Sequence, residues 1–115
     1  MKLWIDDCRP APEEYIWIKS VNDAKDFIRF FENPTIWPSY IPSQHTKQAQ
    51  PVEIELIDVD HDAGDFAHDG GDYIKLLDWL EATGYNYPIH IHSQNPVGVQ
   101  NMRRIIERNG WKEIK

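Results

Sequence analysis

One cysteine, Cys8, stands alone in this 115-residue chain. A single thiol closes no internal disulfide, so a reducing compartment, the cytoplasm, is the expected home. No apolar run approaches the roughly 20 residues that span a bilayer. Met1-Lys2 leads straight into a strand-like start, so no signal peptide is expected and no membrane partner. Basic residues are also scarce: 12 Lys and Arg against 19 Asp and Glu leave a formal net charge of −7. Broad binding to double-stranded DNA needs clustered cations and is disfavoured, whereas a nucleotide or RNA end held through a metal is not excluded. Aromatic residues are plentiful, with five Trp, five Tyr and four Phe. They supply one core, and the length fits a single domain over 1–115.

The apolar pattern alternates strands with helices. Lys2 to Ile5 is a strand ending at Asp6, and Tyr15 to Ile18 is a second, rich in aromatic and β-branched residues. Ser20, with Asp23 three residues on, caps a helix carrying Val21, Ala24, Ile28 and Phe31 at helical spacing, which Asn33-Pro34 stops. Residues 34–51 hold four prolines among Ser, Gln and Thr and read as a long loop. Glu53 to Val59 is the third strand. Asp69 is placed to cap a helix from Gly70 to about Thr83, with Tyr73, Leu76, Leu77 and Leu80 buried and Gly84 as its stop. Tyr87 to His92 is the fourth strand. Asn95 and Pro96 open a last helix that Gly110 closes, and Trp111 to Ile114 is a short fifth strand.

This order indicates an α/β fold with a mostly parallel sheet of about five strands and flanking helices. One connection departs from it. Arg9-Pro10-Ala11-Pro12 does not form a helix, because each proline blocks its continuation. The first helix is therefore missing or irregular, and eight residues are few for a parallel crossover. Either the second strand returns antiparallel or an extended link replaces the helix.

Two strands end at carboxylates. Asp6-Asp7 closes the first, and Asp58-Val59-Asp60-His61-Asp62 closes the third. In open α/β sheets ligands bind at the carboxyl ends of strands, and clustered carboxylates call for a cation, a proton or a basic partner. Asp6 and Asp7 suit a hard divalent ion with oxygen ligands. Strand alternation sends Asp58 and Asp60 the same way if the strand runs that far. Loop carboxylates account for Asp6-Asp7 alone more plainly, whereas three carboxylates in five residues after a buried run are hard to explain as a solvated turn. A calcium loop is excluded by Ala63 at its glycine position and by the preceding strand, and the His61-Asp62 sequel departs from an Asp-x-Asp dehalogenase-type nucleophile.

The third group is His90-Ile91-His92-Ser93-Gln94-Asn95-Pro96-Val97-Gly98. His90 reads as a hydrogen-bonded strand residue. His92 beside a carboxylate can serve as acid or base near neutral pH, and Ser93 and Asn95 lead into a helix N-terminus whose free amides attract phosphate. Arg9 either neutralises the acidic pair or touches a phosphate. Cys8 lacks a His-Asn arrangement that would make it a nucleophile.

Taken together, Ile5-Asp6-Asp7-Cys8-Arg9-Pro10-Ala11-Pro12, Asp60-His61-Asp62-Ala63-Gly64, Gly71-Asp72-Tyr73 through Trp79-Leu80, and His90 to Gly98 resemble the cyclic-phosphate processing receiver-like family. The resemblance implies a receiver-like (flavodoxin-like) fold, turned from signalling to phosphate chemistry, with a role in processing cyclic phosphates or related ends in RNA repair. It places Asp6 and Asp7 at the metal-binding acidic pair, Asp60 at the phosphoacceptor position and Ser93 near the hydroxyl residue after the fourth strand. The lysine that receivers carry after their fifth strand has no clear counterpart here. His61 and His92 are additions that a signalling receiver does not need.

These readings combine into an expected metal-assisted phosphoesterase acting on a cyclic phosphate or a phosphorylated nucleotide or RNA end. A divalent cation, Mg²⁺ or Mn²⁺, is expected on Asp6, Asp7 and Asp60. Arg9, Ser93, Asn95 and Gly98 are expected to bind the substrate, and Asp60, His61 and His92 to carry the chemistry. The alternative is a non-catalytic receiver-like module that binds a phosphorylated ligand or a protein partner.

Overall fold

The computed structural model describes residues 1–33 and 53–115. The Pro-rich loop expected at 34–51 lies outside the described residues. Four strands, β1 (Lys2–Ile5), β2 (Tyr15–Ile18), β3 (Leu56–Val59) and β4 (Ile89–Ile91), form one sheet in the order β2-β1-β3-β4. Every pairing is parallel. Helices α1 (Val21–Glu32), α2 (Ile74–Thr83) and α3 (Pro96–Asn109) alternate with the strands. The architecture is the expected receiver-like α/β sheet with one strand fewer. Among the described residues, Trp111–Ile114 contributes a single parallel bridge, Ile89 to Glu113, rather than a fifth strand. The short segment after Gly110 is held to β4 by two backbone bonds, Ile89 N–H to Lys112 and Ile114 N–H to Ile89, and by His90 Nδ1 at 2.7 Å from the Ile114 carbonyl.

Strand periodicity separates the two faces of the sheet. Leu3, Ile5, Ile57, Val59 and Ile89 are fully buried and share one core with Val21, Ala24 and Ile28 of α1, Leu76, Leu77 and Leu80 of α2, and Met102, Ile105 and Ile106 of α3. The alternate positions Trp17, Trp4, Asp58 and His90 lie level across the sheet on the other face. Right-handed crossovers explain the segregation. The step from β1 to β2 runs in the opposite direction from the later steps, so its connection crosses the face that the helices leave bare.

That connection, residues 6–14, settles the direction of β2: it is parallel, and an extended link stands in for a helix. Side chains hold the link in place. Trp4 Nε1 donates to the Arg9 carbonyl at 2.8 Å, and Trp17 Nε1 donates to the Asp6 carbonyl at 2.8 Å. Glu14, at φ 73°, turns the chain back into β2.

Helix boundaries follow local chemistry, with one correction. Ser20 Oγ accepts the Asp23 amide at 3.1 Å, and Asn95 Oδ1 accepts the Gly98 amide at 3.0 Å, so both expected N-caps form. The helix expected from Gly70 begins only at Ile74, and Asp69 does not cap it. Gly70 and Gly71 adopt φ of 113° and 91°, which interrupt a right-handed helix, and a 3₁₀ turn at Gly64–His68 precedes them. Asp69 instead accepts from the Asn22 side chain and backbone, tying this segment to the start of α1. Among the described residues no helix is long and apolar enough to cross a membrane.

Candidate functional site

The carboxyl ends of β1, β3 and β4 bring three groups together: Asp6 to Arg9, Asp58 to Asp62, and His92 to Gly98. On the link-covered side, His92 joins two strands' acids. Its Nδ1 bonds Asp58 Oδ1 at 2.6 Å and its Nε2 bonds Asp6 Oδ2 at 2.9 Å. Trp4 stacks beneath the imidazole with ring centroids 3.8 Å apart and planes 5° from parallel. Arg9 closes the cluster from above, donating Nη1 to the His92 carbonyl at 2.8 Å and lying 3.8 Å from Asp6 Oδ2.

Two carboxylates accept only from donors, so a ring bonded to both is held as an imidazolium. Burial pulls the His92 pKa down, but the bonds to Asp58 and Asp6 outweigh it and raise it above its ordinary value. Asp6 is fully buried. Burial pushes its carboxyl up, yet the amides of Cys8 and Arg9, 3.0 and 3.1 Å from Oδ1, and the His92 contact hold it below the ordinary range.

This geometry alters two expected roles. Both ring nitrogens of His92 are engaged, so it neutralises and positions Asp6 and Asp58 rather than offering a free acid or base. Asp6 has accepted three hydrogen bonds before any ion arrives. Asp58, expected only as a strand neighbour of Asp60, is the third member of this buried triad.

On the helix side the loop after β3 presents His61. Its backbone carbonyl accepts the Tyr73 amide at 2.9 Å, and Asp72 Oδ1 accepts the Ala63 amide at 3.0 Å, closing the excursion that carries it. His61 Nδ1 lies 2.7 Å from Asp62 Oδ1. That bond, together with a weaker one from Asn95 Nδ2 at 3.3 Å, holds Asp62 below the ordinary carboxylate range although desolvation opposes it. With Nδ1 as the donor, Nε2 carries the free lone pair, and it has no hydrogen-bond partner among the described residues. The ring lies over the first turn of α3, where a Cβ added at Gly98 would overlap it.

The expected phosphate-binding residues divide accordingly. Gly98 does not offer its amide, because that N–H is bound by the Asn95 side chain. Its contribution is the space that admits His61. Asn95 is occupied as cap and as brace for Asp62. Ser93 Oγ accepts the Asn95 amide at 3.1 Å and keeps its hydroxyl proton. Arg9, with 43 % of its side chain exposed, keeps guanidinium surface toward solvent.

Asp7 separates from Asp6 in keeping with strand alternation. Its carboxylate lies against Gly64, whose φ of 55° and missing Cβ make the approach possible. One atom each of Asp6, Asp7 and Cys8 lie within 4.8 Å of one another, a compact set among the described residues that does not include Asp60. Partial desolvation and the carboxylates of Asp7 and Asp6 push the Cys8 thiol up, so the thiolate a metal would need is disfavoured. Asp60 is buried and its Oδ1 accepts the His61 amide at 2.8 Å. Asp7, Asp6 and Asp60 nonetheless bear on one point. With burial as the first cause, their negative charge drives the Tyr73 hydroxyl, which donates to the Lys19 carbonyl at 2.7 Å, far above its ordinary pKa.

Asp6, Asp7, Asp58, Asp60 and Asp62 face one imidazolium and one guanidinium. Asp7, and Asp60 through Oδ2, have no hydrogen bond to another group among the described residues except the neighbouring Cys8 thiol, and carboxylate oxygens suit Mg²⁺ or Mn²⁺.

A family model described as the cyclic-phosphate processing receiver domain matches residues 1–108. No curated protein and no solved structure matches the chain.

Proposed function

We propose, for a chain that belongs to the cyclic-phosphate processing receiver domain family, that the strand-end pocket hydrolyses a phosphate ester, with a cyclic phosphate on a nucleotide or RNA end as substrate. The observation that carries this reading is the state of His61: Nδ1 rests on Asp62 and Nε2 has no hydrogen-bond partner among the described residues, beside the acidic cluster and the N-terminus of α3. An imidazole oriented by a carboxylate is suited to proton transfer.

In the opening of a five-membered cyclic phosphate, water adds to phosphorus and one ring P–O bond breaks. His61 Nε2 takes the proton from the attacking water and delivers a proton to the departing alkoxide. Ser93 Oγ–H and the exposed part of Arg9 bind non-bridging oxygens. His92 keeps Asp6 ionised and fixed, which holds the Asp6–Arg9 turn and thereby the guanidinium. A divalent ion on Asp7 and Asp60, when bound, offsets their charge and polarises a phosphoryl oxygen. An anionic substrate would otherwise meet an excess of carboxylates.

The test is turnover of a 2′,3′-cyclic nucleotide with added Mg²⁺ or Mn²⁺, comparing the native chain with His61→Ala. A second reading rests on the locked His92: the same pocket binds a phosphorylated ligand without turnover. Saturable binding with no product, unaltered by His61→Ala, would favour it.

A further inference from the structure

Beside the strand-end cluster runs a concavity that the phosphate chemistry does not use. An open groove of about 540 Å³ lies along the β2 edge of the sheet, lined by Ile16, Trp17, Lys19, Asp23, Phe27 and Phe66 among others. Its volume is in the range of small-molecule sites, roughly 300–1,000 Å³. Ile16 and Trp17 are over a third exposed, which is unusual for such large apolar side chains on a four-residue strand. The Lys19 ammonium lies 4.5 Å from the centroid of Trp17 and 5.9 Å from that of Phe66, so two π-faces flank one cation.

Three contacts tie the walls of this groove to residues of the proposed phosphate site. The Lys19 carbonyl accepts the Tyr73 hydroxyl, on which Asp6, Asp7 and Asp60 bear. Phe66 belongs to the 3₁₀ turn beginning at Gly64, whose backbone packs on Asp7. Trp17 Nε1 also bonds the Asp6 carbonyl.

We infer that this groove holds the base of a nucleotide whose cyclic phosphate lies at the strand ends; the inference rests on the phosphoesterase reading above. Flat heteroaromatic rings stack on Trp and Phe faces irrespective of base identity. Asp23, at the groove wall, accepts from an exocyclic amino group, while Asp26 Oδ1 is held by Arg29 Nη1 at 3.0 Å. Lys19 has a flexible stem and swings from between the rings toward the substrate's negative charge. An aliphatic peptide would use the apolar walls but leave the Asp23 carboxylate without a complementary group and offer no flat ring to the Trp17 and Phe66 faces.

The experiment maps amide and side-chain NMR shifts of the full chain with three probes: adenosine, adenosine 2′,3′-cyclic phosphate, and ethylene phosphate, a base-free five-membered cyclic ester. Adenosine and the cyclic nucleotide are expected to shift Ile16, Phe27 and Phe66, whereas ethylene phosphate shifts the strand ends alone. Phe66→Leu, which keeps an apolar side chain but removes a π-face, is expected to weaken adenosine and cyclic-nucleotide binding by about tenfold. It should leave ethylene phosphate hydrolysis unchanged. Shifts confined to the strand ends with every probe overturn the inference. So does concentration-dependent broadening of the groove signals without ligand, which identifies a second copy of the chain as the occupant. Failure of ethylene phosphate to react, with adenosine still in the groove, overturns the phosphoesterase reading and leaves the base site standing.

Discussion

The His61 imidazole fills the space that a Cβ on Gly98 would take. A glycine in the first turn of α3 therefore sets where the proposed proton carrier stands, although its amide serves the Asn95 cap. Alanine is the better helix former by about 1 kcal/mol. Gly98→Ala is accordingly expected to leave thermal stability within about 1 kcal/mol of the native chain. It should reduce cyclic-phosphate turnover by at least about tenfold, since small misplacements of catalytic groups are costly. Melting curves and initial rates on the same preparation check the split.

His92→Phe separates structure from chemistry in the other direction. Phenylalanine retains the stacking on Trp4 but leaves Asp58 buried without its cation and Asp6 with Arg9 alone at 3.8 Å. Breaking a buried ion pair by removing one partner costs about 3–5 kcal/mol. Urea unfolding should show a loss of that order, whereas His61→Ala, which leaves no fully buried carboxylate without its cation, should cost less.

The same triad makes stability depend on pH in both directions. The folded pKa of His92 is raised above 6.5, so its contribution is complete below that value and fades as pH rises through the folded pKa. The Asp6 pKa is lowered from 3.8, so its contribution is present above that value and fades as pH falls through the folded pKa. Urea titrations without divalent ions should show both limbs, and His92→Phe should remove the alkaline one. An NMR titration of the His92 ring protons checks its midpoint directly.

Gly64→Ala tests the acidic side of the pocket. The left-handed φ of 55° disfavours any side chain, and the new Cβ would overlap the Asp7 carboxylate. A loss of about 1–2 kcal/mol in stability is expected. Mn²⁺ affinity, followed by water-proton relaxation, should fall about tenfold or more if Asp7 is a ligand.

Local signals in the sequence were enough for much of this structure. Ser20, Asn95-Pro96, Gly84 and Gly110 mark helix ends because capping depends on neighbours within four residues. The acids at the strand ends are visible because strand runs are short and end abruptly. The parallel course of β2 was not legible, since it depends on Trp4 and Trp17 pinning the link from outside it. The late start of α2 depends on the positive φ of Gly70 and Gly71, which composition alone does not reveal. The Asp6–His92–Asp58 triad joins residues up to 86 positions apart, so no spacing rule exposes it. The single hint was the level of Asp58 with His90 on one face, which places His92 within reach once the sheet order is known.

The central claim is that His61 moves the proton in hydrolysis of a phosphate ester at this pocket. Its most direct test is ³¹P NMR of adenosine 2′,3′-cyclic phosphate incubated with Mg²⁺ or Mn²⁺ and either the native chain or His61→Ala. Conversion to a monoester resonance is expected with the native chain, and at least about a hundredfold slower conversion with the folded variant. An unchanged cyclic resonance with the native chain, or equal rates for the two proteins, would contradict it.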